Sequence, residues 1–235
     1  MAAVQNRRDF IAIAAGAALA ASATDALAQG APQSASKTEY AIKKLPFDPS
    51  KIKGLSEKLL TSHYENNYSG AVKRLNAITN QLAGLDMATA PVFVVNGLKR
   101  EELIATNSMI IHELYFDGLG GEGDPKDALA EQIAKDFGSV ARWKTEFAAV
   151  GKALGGGSGW VLLSWSPRDS KLVNQWAADH CHTLAGGQPI VALDMYEHSY
   201  HIDYGAKAAT YVDSFMNAIR WSNADRLFAS LTAKR

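Results

Sequence analysis

The stretch Pro189-Ile190-Val191-Ala192-Leu193-Asp194-Met195-Tyr196-Glu197-His198 decides how the chain is read. An apolar run of strand length ends in a carboxylate, and an imidazole follows four residues later. An ionised carboxylate at the end of a buried strand is costly unless a cation or several donors meet it. Asp194 and His198 are close enough in sequence to ligate one ion. Glu197 beside them is placed to orient an imidazole from the second layer of contacts.

Working outward, two more short apolar runs precede this one, at 160–165 and 171–176. They are separated by Pro167-Arg168-Asp169-Ser170, and the third run is set off by Gly186-Gly187-Gln188-Pro189, which is strand and turn punctuation. Upstream the period is helical, over 55–82 until Gly84, and over 100–117 until a run of glycines. Residues 90–98 form an apolar connection whose form the pattern leaves open. Asp124-Pro125 opens a helix over 126–137, another spans 139–154, and helical patterning returns over 200–221. The order, helices first and then a small antiparallel sheet among helices, is an α+β architecture.

Two further histidines sit oddly. Leu59, His63, Asn67, Ala71 and Leu75 recur every four residues along one helical stripe, apolar at its ends and polar in its middle. Ile104, Ser108, His112 and Tyr115 repeat this in the next helix, with His112 following Met109-Ile110-Ile111. Each alone reads as readily as a hydrogen-bonded core histidine. Three imidazoles and one carboxylate together suit a mid-row transition metal better than calcium or magnesium, and the missing thiolate disfavours copper(I) and structural zinc. Asp179-His180-Cys181-His182 is a candidate for a second metal site or, more simply, a polar loop. The triple glycine at 155–157 has no Gly-Lys-Ser/Thr after it and is not a phosphate loop.

Composition bounds the rest. The chain has 235 residues, 47% of them apolar and 20% charged, with 24 basic and 24 acidic side chains and a formal net charge of zero. A neutral protein lacks the surplus that phosphate neutralisation requires, so nucleic acid and anionic membranes are not its expected partners. Residues 1–28 read as a signal peptide. Arg7-Arg8-Asp9-Phe10-Ile11 is a twin-arginine pattern, an Ala-rich stretch follows to about Ala23, and Ala26-Leu27-Ala28 is the cleavage signal. That stretch is short of the ~20 residues a membrane span needs. Export of a folded protein to the periplasm or beyond is therefore expected, followed by a flexible leader over 29–44. Cys181 is the only cysteine, so no internal disulfide can form.

Taken together, these residues resemble the iron/manganese superoxide dismutases. The likeness runs from Leu45-Pro46-Phe47 to Trp221 and includes Leu55-Ser56-Glu57, His63-Tyr64, Leu75-Asn76 and His112-Glu113-Leu114-Tyr115-Phe116. It also includes Gly157-Ser158-Gly159-Trp160 and, most specifically, Asp194-Met195-Tyr196-Glu197-His198-Ser199-Tyr200. The resemblance implies a helical hairpin domain over 45–120 supplying His63 and His112. It also implies an α/β domain over 121–235, with a three-stranded antiparallel sheet, supplying Asp194 and His198. It implies one iron or manganese ion per subunit, superoxide as substrate, and a homodimer or tetramer. Glu197 would then reach the ligand histidine of a second subunit.

Departures from the family pattern fall around the site. Its gateway tyrosine falls on Ala71, its second-layer histidine on Asn67 with Tyr68 following, and a late tyrosine on His201. Ser108 stands where the iron-type glutamine does, so His180 is the expected partner of the metal-bound solvent, with Gln175 and His182 behind it. The family's tryptophans are thinned to Ile110, Leu162 and Tyr196, while Trp160 remains. The other reading is an exported metal-binding protein with weak or no turnover.

Overall fold

The structure, a computed structural model, describes residues 39–121 and 123–233. The expected signal peptide and most of the expected leader lie outside the described residues. The packed chain begins before the boundary expected at 44. Tyr40 N–H donates to Asn76 Oδ1 and Asn76 Nδ2 donates back to Tyr40 O, each at 2.9 Å. This reciprocal pair fastens the strand-like segment to the first helical stripe.

That stripe is broken into three pieces. α1 (Glu57–Ser62) is capped by Ser56, whose Oγ accepts from Leu59 N. A π-helical turn, His63–Tyr68, follows, and α2 runs over Ser69–Ala83. The π turn places one extra residue in the coil, and such insertions concentrate at functional sites. α3 (Val92–Asp117) starts eight residues before the expected 100. Pro91 leads into it, and the low propensity of Val92, Val94 and Val95 is worth only tenths of a kcal/mol each, which elongation of a long helix overrides.

α4 (Asp127–Phe137) and α5 (Val140–Ala153) come next, then β1 (Trp160–Ser166), β2 (Lys171–Ala177) and β3 (Gln188–Asp194). The sheet order is β2-β1-β3, antiparallel throughout. Central β1 is buried along its whole length, including Ser164 and Ser166 among its apolar residues, as expected of a strand flanked on both sides. Register sets the site: Trp160 lies opposite Asp194 on one side and Ala177 on the other. A register shift at Leu163/Ser164 accommodates Pro189, which an edge strand tolerates.

The helical pattern over 200–221 resolves into α6 (His201–Tyr204) and α7 (Ala208–Ala218), and α8 (Trp221–Thr232) extends past it. The chain breaks at Ile219 and Arg220 because they trade helix bonds for the glycine-rich loop. Arg220 N donates to Gly118 O at 2.7 Å, and Gly120 and Gly121 N donate to Ala218 O at 2.9 Å. The described residues form one compact unit. Its core holds Leu59, Leu75, Trp143, Trp160, Tyr211 and Trp221, all but fully buried.

Candidate metal centre

Four side chains converge where the hairpin meets the sheet. His63 opens the π turn, His112 sits deep in α3, Asp194 ends β3, and His198 lies in the one-turn 3-10 helix that follows. Asp194 Oδ2 lies 3.1 Å from His63 Nε2, 3.5 Å from His112 Nε2 and 3.2 Å from His198 Nε2. One ligand atom from each of the four falls within 4.8 Å of the others. Ligands bound to one ion at about 2.1 Å stand roughly 3.0–3.6 Å apart. The set fits a single ion.

Burial makes this convergence diagnostic. His63 and Asp194 are fully buried, His112 nearly so, and His198 is partly exposed. Both ring nitrogens of His63 and Nε2 of His112 have no hydrogen-bond partner, which is expensive for buried polar atoms unless a cation satisfies them. Burial lowers the His63 pKa, and that of His112 to about 3, so both rings are held neutral with lone pairs available. For Asp194 burial works the other way, but the His198 ring, whose Nε2 meets Oδ2 at 3.2 Å, outweighs it and the carboxyl stays well below the usual carboxylate range. Neutral imidazoles around an ionised carboxylate are the donor set of a transition-metal site.

Neighbours aim these ligands. His112 Nδ1 donates to Ser108 O at 2.7 Å, which leaves Nε2 as the unprotonated nitrogen facing Asp194. Asp194 Oδ1 accepts from Tyr196 N at 2.8 Å, leaving Oδ2 for the centre. Ser199 Oγ ties down the Asp194 carbonyl at 2.8 Å.

The other expected residues divide. Trp160 Nε1 donates to His180 Nδ1 at 2.9 Å, and the His180 ring stacks on Tyr196 at 4.9 Å. His180 and Asn67 line a cleft of about 300 Å³ together with Ala71, Ser108, His112 and His198. Tyr68 does not line that cleft: its hydroxyl accepts from Lys43 N at 2.9 Å and donates to Glu113 Oε1 at 3.0 Å. The π turn rotates it toward the incoming segment. Glu197 and His201 are exposed, and within this chain His201 does not meet Asn67 in the cleft. Gln175 donates to His182 O, and His182 pairs with Asp179 at 3.1 Å on the surface. Among the described residues the Asp-His-Cys-His segment forms no second cluster of metal-ligating groups.

Some residues were given no role of their own by the sequence. Tyr115 and Phe116 each pack on His63 with ring centroids 5.1 Å apart, and Asn107 Nδ2 holds His180 O at 2.6 Å. Their positions one helical turn from His112, or one turn before it, are the only hint the sequence offers.

The fold and the four converging side chains define a protein with a candidate transition-metal site. Residues 125–227 match the C-terminal domain of the iron/manganese superoxide dismutases. An iron superoxide dismutase of Cupriavidus metallidurans is 70% identical over 191 residues, covering 81% of this chain and 97% of that protein. A manganese superoxide dismutase of Halobacterium salinarum is 32% identical, covering 81% of this chain and 96% of that protein. An iron enzyme of Aquifex pyrophilus is 32% identical over 77% of this chain and 87% of its own length. The chain belongs to the iron/manganese superoxide dismutase family, and as such is an oxidoreductase that disproportionates superoxide.

Proposed function

We propose that this superoxide dismutase uses one iron ion per subunit and works as a homodimer in the periplasm or outside the cell. It is exported folded through the twin-arginine route. The observation that carries the metal reading is the convergence of unpartnered imidazole nitrogens on Asp194 Oδ2 in a buried space. Iron is favoured because the 70% identical relative is an iron enzyme. Arg7-Arg8 ahead of an Ala-rich stretch and Ala26-Leu27-Ala28 support export. Glu197 and His201, exposed beside the ligand His198, support a second subunit that covers them.

A bound iron or manganese ion supplies the one-electron oxidation and reduction that turn two superoxide anions and two protons into dioxygen and hydrogen peroxide. The protein holds the ligand set rigid: the Ser108 carbonyl fixes the His112 tautomer, and Tyr196 N and Ser199 Oγ fix Asp194. His180 accepts at Nδ1 from Trp160, so in its neutral form it carries its proton on Nε2. That N–H would be the donor to a solvent molecule on a bound ion, in place of a glutamine. Stacking on Tyr196 keeps its ring from swinging away. The cleft past Ala71 and Asn67 admits a small anion to this inner wall.

The test is superoxide consumption by protein reconstituted separately with iron and with manganese, beside metal analysis of the exported protein. The iron form is expected to turn over far above free iron ion. Activity with manganese alone overturns the metal assignment, and activity with neither overturns the catalytic reading. Lysine at both 7 and 8 is expected to hold the protein in the cytoplasm; unchanged export removes the twin-arginine proposal.

A further inference from the structure

The cleft leading to the metal centre carries one permanent charge. Among the described residues, and apart from imidazoles, Arg74 is the only ionisable side chain lining it, beside amides, glycine and small or apolar residues. Arg74 lies on α2, one turn beyond Ala71, so both face the cleft. Its side chain is 57% exposed, which sets its head at the solvent end. Ala71, Ala105 and Ser108 line the passage inward with side chains too short to close it.

Arg74 is also held in place. Its Nη2 pairs with Glu101 on α3, and Glu101 is shared with Arg100 at 3.4 Å. Two guanidinium groups against one carboxylate leave one surplus positive charge at this point. The chain as a whole is neutral, so the surplus is local. A cleft with low-dielectric walls and a charge of one sign focuses field lines and raises the capture rate of an oppositely charged substrate.

We infer that Arg74 guides the superoxide anion into the cleft, and that Glu101 both positions this charge and attenuates it. The inference rests on the dismutase reading for its substrate. It assigns a guiding role to a side chain outside the ligand set, at the entrance that Ala71 leaves open. Removing Arg74 lowers capture. Removing Glu101 uncovers the full charge and raises capture.

The experiment compares Arg74→Gln, Arg74→Lys and Glu101→Gln with a control, Lys73→Gln, in the iron-loaded protein. Lys73 is exposed and does not line the cleft, so it changes net charge equally without touching the entrance. Two readouts are used: kcat/KM for superoxide across ionic strength, and equilibrium binding of azide followed by absorption. Azide is a small monovalent anion whose binding is measured without turnover. Arg74→Gln is expected to lower kcat/KM about two- to fivefold at low salt, to flatten its salt dependence and to weaken azide binding. Arg74→Lys should restore most of both, and Glu101→Gln should raise kcat/KM at low salt. Arg74→Gln indistinguishable from Lys73→Gln in salt slope and azide affinity overturns the inference. Should the iron-loaded protein show no turnover, the dismutase reading fails, and the azide comparison alone decides whether Arg74 guides anions.

Discussion

His63 Nε2 and Asp194 Oδ2 stand 3.1 Å apart with both side chains completely buried. His63 comes from the helical front half and Asp194 from the end of the sheet, so their meeting joins the two halves at one point. Nothing in the protein makes that pairing comfortable by itself: the imidazole nitrogen has no hydrogen-bond geometry, and the carboxylate is ionised out of reach of water. A cation between them turns a cost into a bond.

Replacing Asp194 by asparagine therefore separates metal binding from folding. In chelator, Asp194→Asn is expected to keep the fold with a modest loss of stability, because the surroundings that hold the carboxyl ionised, Tyr196 N and His198 among them, favour the charged form. Metal at about a thousandfold excess over Kd stabilises the natural protein by about 4 kcal/mol, or roughly 10 °C in Tm for a chain of this size. The variant should show no such rise. Melting curves with and without iron, beside metal analysis, decide it; a variant that keeps its iron contradicts the ligand assignment.

Acid should weaken the metal-free protein over a defined window. Burial holds His63 and His112 neutral, the latter down to about 3, whereas an unfolded histidine titrates near 6.5. Below pH 6.5 the unfolded chain takes up protons that the folded one refuses, so stability falls as pH falls. Each such histidine contributes up to about 1.4 kcal/mol per pH unit until its folded pKa is reached. Asp194, held low, adds to the loss only below its ordinary value near 3.8. Denaturant midpoints of the metal-free protein should decline steadily from pH 6.5 to 4, and a flat profile excludes this account.

The ligands were legible in the sequence, and their surroundings much less so. His112 and Asp194 stand out as polar groups within or at the end of apolar runs, while His63 lies in the polar middle of a stripe with apolar ends and gains meaning only beside them. The strands were legible because turn residues bracket them. The first helix misled in one respect: a four-residue stripe assumes a regular coil, and the π turn over His63–Tyr68 adds a residue. That turn sends Tyr68 to Lys43 and Glu113 instead of to the cleft. The early start of α3 was hidden because β-branched residues read as strand or loop, although their helix penalty is small. Arg74 and Asn107 gave no signal, since their roles depend on which element lies opposite.

Gly159 offers a test of how the sheet positions the site. Its φ is +127°, and a Cβ there would stand 2.0 Å from Ala177 O. Its own carbonyl accepts from Met195 N at 2.9 Å, next to the ligand Asp194 and just before Trp160. Gly159→Ala must therefore spread β1 from β2 or twist the start of β1. A loss of about 3 kcal/mol or more is expected, with weakened metal retention because Trp160 and His180 move together. Thermal unfolding in chelator and a metal-retention assay report the two effects separately; an unchanged Tm shows that the backbone there relaxes freely.

Tyr68 provides the complementary case, a buried polar residue outside the cleft. Its hydroxyl joins Lys43 N to Glu113, and Tyr64 Oη donates to Lys43 O at 3.0 Å, so the incoming segment is clasped from both sides. Tyr68→Phe leaves the Lys43 N–H and a Glu113 oxygen without this partner and should cost about 1–2 kcal/mol at neutral pH. Burial, with the Glu113 charge behind it, pushes the Tyr68 pKa up to about 12, against about 10 in an unfolded chain. Between those values the unfolded chain releases its phenolic proton first, so the stability Tyr68 contributes is present below pH 10 and lost as pH rises through 12. The difference between natural protein and variant should therefore narrow from pH 10 upward. Because Tyr68 does not line the cleft, kcat/KM should stay within about twofold of the natural value at neutral pH, since the loss falls on folding alone. Urea titrations at pH 7 and above pH 10, with dismutase assays on the same samples, check both halves; a large fall in kcat/KM from folded Tyr68→Phe would place the residue in the site after all.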